Sequence, residues 1–124
     1  MKKILTIAAA TFALGIGTAH AAGDAAAGKK VFNKCRACHK VEEGKKSPVG
    51  PNLFGVFGRE AGAGDFKRYS KAMKNSGITW DEETIGAYLK DPKGYIPKNK
   101  MAFPGLKKDK DVANVIAYLK EVTQ

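Results

Sequence analysis

The chain is 124 residues long and carries 22 Lys+Arg against 12 Asp+Glu, a formal net charge of +10, with only two cysteines and two histidines. That length builds one small domain and no more. The basic balance leaves nucleic acid, anionic lipid or acidic proteins as partner classes.

The N-terminus opens on Lys2 and Lys3, continues as an uncharged, mostly apolar run from Ile4 to about Thr18, and reaches Ala19-His20-Ala21. Charged region, apolar region and small-x-small site in that order predict a secretory signal peptide. The run is broken by Gly15 and Gly17 and barely reaches the ~18 residues that a spanning helix needs. Cleavage is expected after Ala21, so that residues 1–21 leave and 22–124 form a single domain in the periplasm. No cysteine follows the site to carry a lipid anchor. Lys2 and Lys3 leave too, which takes the net charge from +10 to +8. With His20 gone, His39 is the only histidine of the mature domain. An exported domain seldom meets nucleic acid, so the expectation is no nucleic-acid partner and no stable membrane insertion.

Four segments carry helical signals and none reads as a strand. The first has Asp24 as N-cap and Ala27, Val31, Phe32 and Cys35 on one side, delivering Cys35 at its end. In SKAMKNSG, Ser70 caps about two turns that stop at Gly77. In TWDEETIGAYLKDP, Thr79 and Glu82 read as a capping box, Ile85, Tyr88 and Leu89 share a face, and Pro92 ends the helix. The last helix, about Asp109 to Val122, aligns Val112, Val115, Ile116 and Leu119. The fold class is therefore all-α. Between the helices lie two long stretches, about 41–69 and 91–108, rich in glycine and proline yet carrying Leu53, Phe54, Val56, Phe57, Ile96, Met101 and Phe103. Loops so long and so apolar need something to wrap.

Cys35-Arg36-Ala37-Cys38-His39 supplies a candidate. A thioredoxin-like disulfide wants a preceding strand and a βαβ setting, and neither is present. Structural zinc wants four ligands, whereas this site offers three thiol and imidazole groups and the mature domain has no further cysteine or histidine. A plain disulfide leaves His39 without a reason. Covalent haem uses all three: each thiol adds across one vinyl group, and the adjacent imidazole is carried beneath the porphyrin to the iron. A large flat apolar group is also what the loops lack. A second histidine ligand is excluded, so the sixth position falls to methionine or stays open. Met101, bracketed by Pro97 and Pro104, is preferred to Met73, which reads as filler in a short helix, although reach and loop stiffness alone leave Met73 open.

KCRACHK, VGPNLFGVFGR, GITWDEETIGAYLKDPKGYIPKNKMAF and VIAYLK, in this order and spacing, resemble class I c-type cytochromes, close to mitochondrial cytochrome c and bacterial cytochrome c2. The resemblance covers essentially all of residues 22–124. It implies the cytochrome c fold, about four helices with long loops wrapped round one covalently bound haem c, attached through Cys35 and Cys38. It implies His39 as proximal and Met101 as distal iron ligand, and Pro51 as acceptor of the His39 ring N–H. By the same resemblance Tyr88 and Asn99 lie near Met101, Arg59, Tyr69 and Trp80 near the haem propionates, and Gly28, Phe32 and Tyr118 between the first and last helices. Met73 stands where the family often has a buried polar side chain.

Iron with both axial positions filled by protein has no site for substrate and can only change charge, so the expected function is one-electron transport and not an enzymatic one. The donor class is a quinol-oxidising complex of the cytochrome bc1 type, and the acceptor a photosynthetic reaction centre or a cytochrome oxidase, in respiration or photosynthesis. The competing readings are a peroxidase-type enzyme, which would want a distal acid–base group, and a haem ligand-binding or sensing module, which would need Met101 to leave easily. Lys34 and Lys40 flank the cysteine motif and Lys93, Lys98, Lys100 and Lys107 flank the Met101 loop. They predict a basic rim that orients a monomer on acidic redox partners.

Overall fold

The computed structural model describes residues 23–124 and holds five helices there: α1 (Ala25–Phe32), α2 (Lys71–Lys74), α3 (Glu82–Lys90), α4 (Pro92–Tyr95) and α5 (Asp109–Val122). The expected signal peptide lies outside the described residues. Among the described residues the only strand-like pairing is an isolated bridge between Glu60 and Thr79, and no helix is long and apolar enough to cross a membrane.

Local chemistry explains most boundaries. The Asp24 carboxylate accepts from the Ala26 N–H at 2.8 Å and from Ala27, starting α1. That helix ends at Phe32 and not at Cys35, which is reached by a tight turn in which the Cys35 N–H donates to the Phe32 carbonyl at 2.8 Å. Ser70 caps α2 as its position suggests, accepting from the Met73 N–H at 3.0 Å.

The capping box of α3 is built by Asp81 and Thr84, not by Thr79 and Glu82. Asp81 accepts from the Thr84 N–H at 2.8 Å while Thr84 Oγ1 accepts from the Asp81 N–H at 2.9 Å. Thr79 cannot be the cap because Trp80, the next residue, is paired with the backbone of Gly58 and Arg59 and so cannot begin the helix; the Thr79 carbonyl accepts from Thr84 Oγ1. Pro92 both ends one helix and begins another: Asp91 accepts from the Gly94 N–H at 3.0 Å, and proline at the first helical position costs no N–H that was needed. The fifth helix, α4, was hidden in that reversal.

α1 and α5 cross in close contact. A Cβ on Gly28 would fall 1.9 Å from the Asn114 carbonyl oxygen, so only glycine lets the two backbones meet there. Phe32 and Tyr118 pack beside the crossing with ring centroids 5.4 Å apart, and Asn114 Oδ1 accepts from the Asp24 N–H at 2.8 Å. Two hydrophobic clusters result. One gathers Phe32, Leu106, Val112, Val115 and Leu119; the other gathers Val56, Ala61, Trp80, Ile85, Tyr88 and Ile96. Leu53, Phe57, Leu89 and Ile116 touch both. The long stretch 41–69 is tied into this frame by backbone hydrogen bonds, Gly55 N–H to Thr123, Ala61 N–H to Ile78 and Trp80 N–H to Arg59.

Gly28→Ala is expected to destabilise the folded protein by about 1–3 kcal/mol, because backbone and not a flexible side chain opposes the added methyl. A guanidinium unfolding midpoint equal to that of the parent would show that the crossing tolerates separation.

Candidate functional site

A cavity of about 480 Å³ opens between the two clusters, within the ~300–1,000 Å³ range of cofactor sites. Phe32, Val115 and Leu119 of one cluster and Val56, Trp80 and Ile85 of the other face into it. Apolar walls from two half-cores, with a few polar groups at particular points, suit a flat hydrophobic group that completes the core.

Cys35, Cys38 and His39 all line this cavity. The turn after α1 sets them there: Cys38 N–H and His39 N–H both donate to the Cys35 carbonyl, at 3.1 and 2.9 Å. Cys35 is half-buried and Cys38 exposed, and the two are not joined in a disulfide. Burial pushes the Cys35 thiol up, as does the neighbouring Cys38, against a smaller opposite pull from Lys34.

His39 is oriented through its far nitrogen. Its Nδ1 lies 2.8 Å from the Pro51 carbonyl, an acceptor only, so Nδ1 carries the hydrogen and the Nε2 lone pair is left for a metal. Burial holds the imidazole pKa below its ordinary value, with the Arg59 charge acting the same way and the Pro51 hydrogen bond opposing. The neutral ring is the ligating form. The loop that brings Pro51 in depends on Gly50, where a Cβ would stand 2.7 Å from the Cys38 carbonyl oxygen and 3.1 Å from the His39 ring.

Arg59, Tyr69 and Trp80 reach the same cavity. Arg59 is braced by donating to the Asn52 carbonyl at 2.9 Å. Tyr69 packs edge-on against Phe66 at 5.1 Å, and its hydroxyl pKa is raised by burial, with Arg59 opposing. Ser70 and Arg68, which sequence reasoning did not assign to the site, also line it. Arg68 donates to the Pro48 carbonyl at 3.2 Å. Adjacency to Tyr69 was the available signal for both.

Met101, Met73 and Tyr88 line the remaining wall. Tyr88 packs against Trp80 at 5.2 Å, and burial pushes its hydroxyl pKa up to about 12. Its oxygen lies 3.8 Å from the Met101 sulfur. Asn99, by contrast, is not a lining residue; it is buried behind Met101, and its Oδ1 accepts from the Met101 N–H at 2.9 Å. Lys98, just before it, has φ +66°, and no other non-glycine described residue has positive φ. Nine of the ten residues expected at the site therefore share one cavity, and the tenth supports it. The thiol pair, the oriented imidazole and the apolar slot together fit covalent haem, with thioethers to Cys35 and Cys38. Of the predicted basic rim, Lys34 and Lys100 border the cavity, while Lys93 donates to the Asn99 carbonyl and Lys107 to that of Pro104.

Three comparisons agree. The family model for cytochrome c matches residues 25–123. The chain is 50% identical over 124 residues to cytochrome c-554 of Methylosinus trichosporium, covering 98% of this chain and 94% of that one. It is 52% identical over 98 residues to cytochrome c2 of Afifella marina, covering 77% and 79%. Among solved structures, cytochrome cH from Methylobacterium extorquens superposes with a TM-score of 0.74 at 50% identity, over 80% of this chain and 99% of that one.

A left-handed backbone costs a side chain-bearing residue roughly 1–2 kcal/mol. Lys98→Gly is therefore expected to stabilise the holoprotein by up to about 1 kcal/mol, since the added freedom of glycine in the unfolded chain offsets part of the relief. Guanidinium titration checks the sign; a lower midpoint would mean that the Lys98 side chain contributes more than its backbone costs.

Proposed function

The chain belongs to the cytochrome c family, electron carriers and not enzymes that hold haem c covalently through a cysteine pair, and from that premise we propose that it is a periplasmic shuttle with His39 and Met101 as the two axial ligands of its iron. The carrying observation is that an oriented imidazole and a loop-held thioether line one apolar cavity. When bound, the haem supplies an iron that gains and loses one electron without making or breaking a bond to substrate.

The surrounding residues then have definite tasks. Pro51 fixes the tautomer and direction of His39. Arg59 and Arg68, with Tyr69 and Trp80, offer cationic and hydrogen-bonding groups for the two propionate carboxylates at one side of the cavity. The apolar walls exclude water, which together with a thioether ligand favours ferrous iron and raises the potential. That suits acceptance of electrons from a quinol-oxidising complex of the cytochrome bc1 type and delivery to a reaction centre or an oxidase. Residues 1–21 serve as the export signal and 22–124 as the single domain. A peroxidase-type site would want an acid–base pair opposite His39. The described residues that line the cavity include no carboxylate and no histidine besides His39, so carrier chemistry fits better.

Met101 is favoured over Met73 as ligand because it lies in a loop outside any helix, held from behind by Asn99, whereas Met73 is part of the short helix α2. Met101→Ala is expected to abolish the far-red sulfur-to-ferric-iron absorption band and lower the potential, while Met73→Leu leaves the band in place as a volume-conserving swap. The reverse pattern would move the ligand to Met73.

The basic face around the cavity mouth is the proposed docking surface. Attraction to an acidic partner acts over ~8–10 Å at ordinary ionic strength, so added salt should slow bimolecular electron transfer. Lys34→Glu and Lys100→Glu should slow transfer to a purified oxidase or reaction centre far more than Lys110→Glu, an exposed α5 position that does not border the cavity. Equal effects at all three positions would reduce the rim to ordinary solvated charge.

A further inference from the structure

The Pro51 carbonyl that orients the His39 ring belongs to the peptide unit between Pro51 and Asn52. Asn52 is half-buried and does not line the cavity, yet four hydrogen bonds meet on it. Its Nδ2 donates to the Glu42 carbonyl at 2.7 Å and to the Lys45 carbonyl at 2.5 Å. Its Oδ1 accepts from the Phe54 N–H at 2.8 Å, and its own carbonyl accepts from Arg59 Nη2 at 2.9 Å. Two carbonyls that only accept and one N–H that only donates leave the side-chain amide a single orientation.

Those bonds reach the imidazole through covalent geometry. With the side chain and the carbonyl of Asn52 both held, its tetrahedral Cα gives the backbone nitrogen one place, and the planar peptide carries that restraint to the Pro51 oxygen. On the other side of the peptide the proline ring fixes φ. The next residue closes the frame: the Leu53 N–H donates at 2.8 Å to the carbonyl of Lys40, the chain neighbour of His39. The Pro51 oxygen is thereby restrained from swinging away from Nδ1.

We propose that Asn52 is a positioning residue for the axial histidine: by holding the Pro51–Asn52 peptide it maintains the His39 Nδ1–H hydrogen bond, and through that bond it sets how strongly the imidazole donates to iron. This rests on ligation by His39. An imidazole whose N–H is given to a carbonyl is a more basic ligand, which favours ferric iron and lowers the potential. Asn52 thus acts against the dry walls and the thioether, which raise it. Because the same residue braces Arg59, the histidine side and the propionate side of the site share one anchor in the chain.

The test is made on the holoprotein, by redox titration and by solvent exchange of the His39 Nδ1 proton, followed by NMR in the ferrous state. Asn52→Ala removes three of the four contacts and leaves the backbone carbonyl for Arg59. It should raise the potential and speed Nδ1 proton exchange roughly tenfold, the weight of one ordinary hydrogen bond, with the low-spin spectrum retained. A loosened loop without any effect on His39 would instead admit water, which favours ferric iron and lowers the potential. Lys46→Ala is the control: it cuts the exposed 2.8 Å pair with Asp65 that ties down the same loop, leaves Asn52 untouched and should change neither readout. An unchanged or lowered potential in Asn52→Ala, unaccelerated exchange at Nδ1, or the same changes in Lys46→Ala overturns the proposal. Should Asn52→Ala give no holoprotein, Asn52→Ser, whose hydroxyl can still accept from the Phe54 N–H, decides by the same signs. Failure of the underlying ligation is distinguishable, because His39→Ala would then keep the low-spin spectrum.

Discussion

Two half-cores that meet only partly, with a cavity of about 480 Å³ between them, set the terms for everything else in this fold. A cavity of that size left unfilled would cost the lining side chains their packing partners. The haem, tied by Cys35 and Cys38, supplies the missing hydrophobic mass and is shared by both clusters. Stability and function therefore depend on the same contact: the side chains that exclude water from the iron are the ones that complete the core.

The loops follow from that constraint. Stretches rich in glycine and proline are poor at packing by themselves, but they can bend round a flat group and return their backbone hydrogen bonds to the frame, as Gly55 does to Thr123 and Leu106 to Leu89. Each loop also presents a chemically distinct edge. Residues 48–53 bring the Pro51 carbonyl to His39, residues 59–70 bring the guanidinium and hydroxyl groups, and residues 96–103 bring Met101. A carrier built this way separates its duties in space, with polarity confined to a few fixed points and the remaining walls dry.

The Met101 loop shows how such a wall is kept in place. Lys98 in a left-handed conformation, Asn99 bonded at both ends of its amide and Lys93 on the Asn99 carbonyl form one connected unit. The place of Met101 on the cavity wall is then set by buried hydrogen bonds. Polar networks of this kind are stabilising when every member is satisfied, and no buried side-chain nitrogen or oxygen lacks a partner among the described residues.

Much of this was legible in advance wherever the signal was local. The Cys-x-x-Cys-His run identifies its cofactor because covalent spacing is written into the chain, and Asp24 and Ser70 announce helix starts because a cap acts within three residues. The all-α class and the α5 boundaries follow likewise from apolar periodicity. The capping box of α3 was misplaced by two residues because Trp80 is paired with Gly58 and Arg59, partners distant in sequence, and α4 was missed because Pro92 serves two helices at once. Asn99 could be associated with Met101 by resemblance, but its place behind Met101 and the direction of its amide depend on carbonyls of Pro92 and Ile96 and on a hydroxyl from α3. The sequence by itself determined the groups whose chemistry needs only neighbours along the chain: the thiol pair, the imidazole, the caps and the helical faces. Tertiary structure alone decided which loop side chains meet across the cavity, because those contacts join segments far apart in sequence and exist only once both half-cores have closed on the same apolar slot.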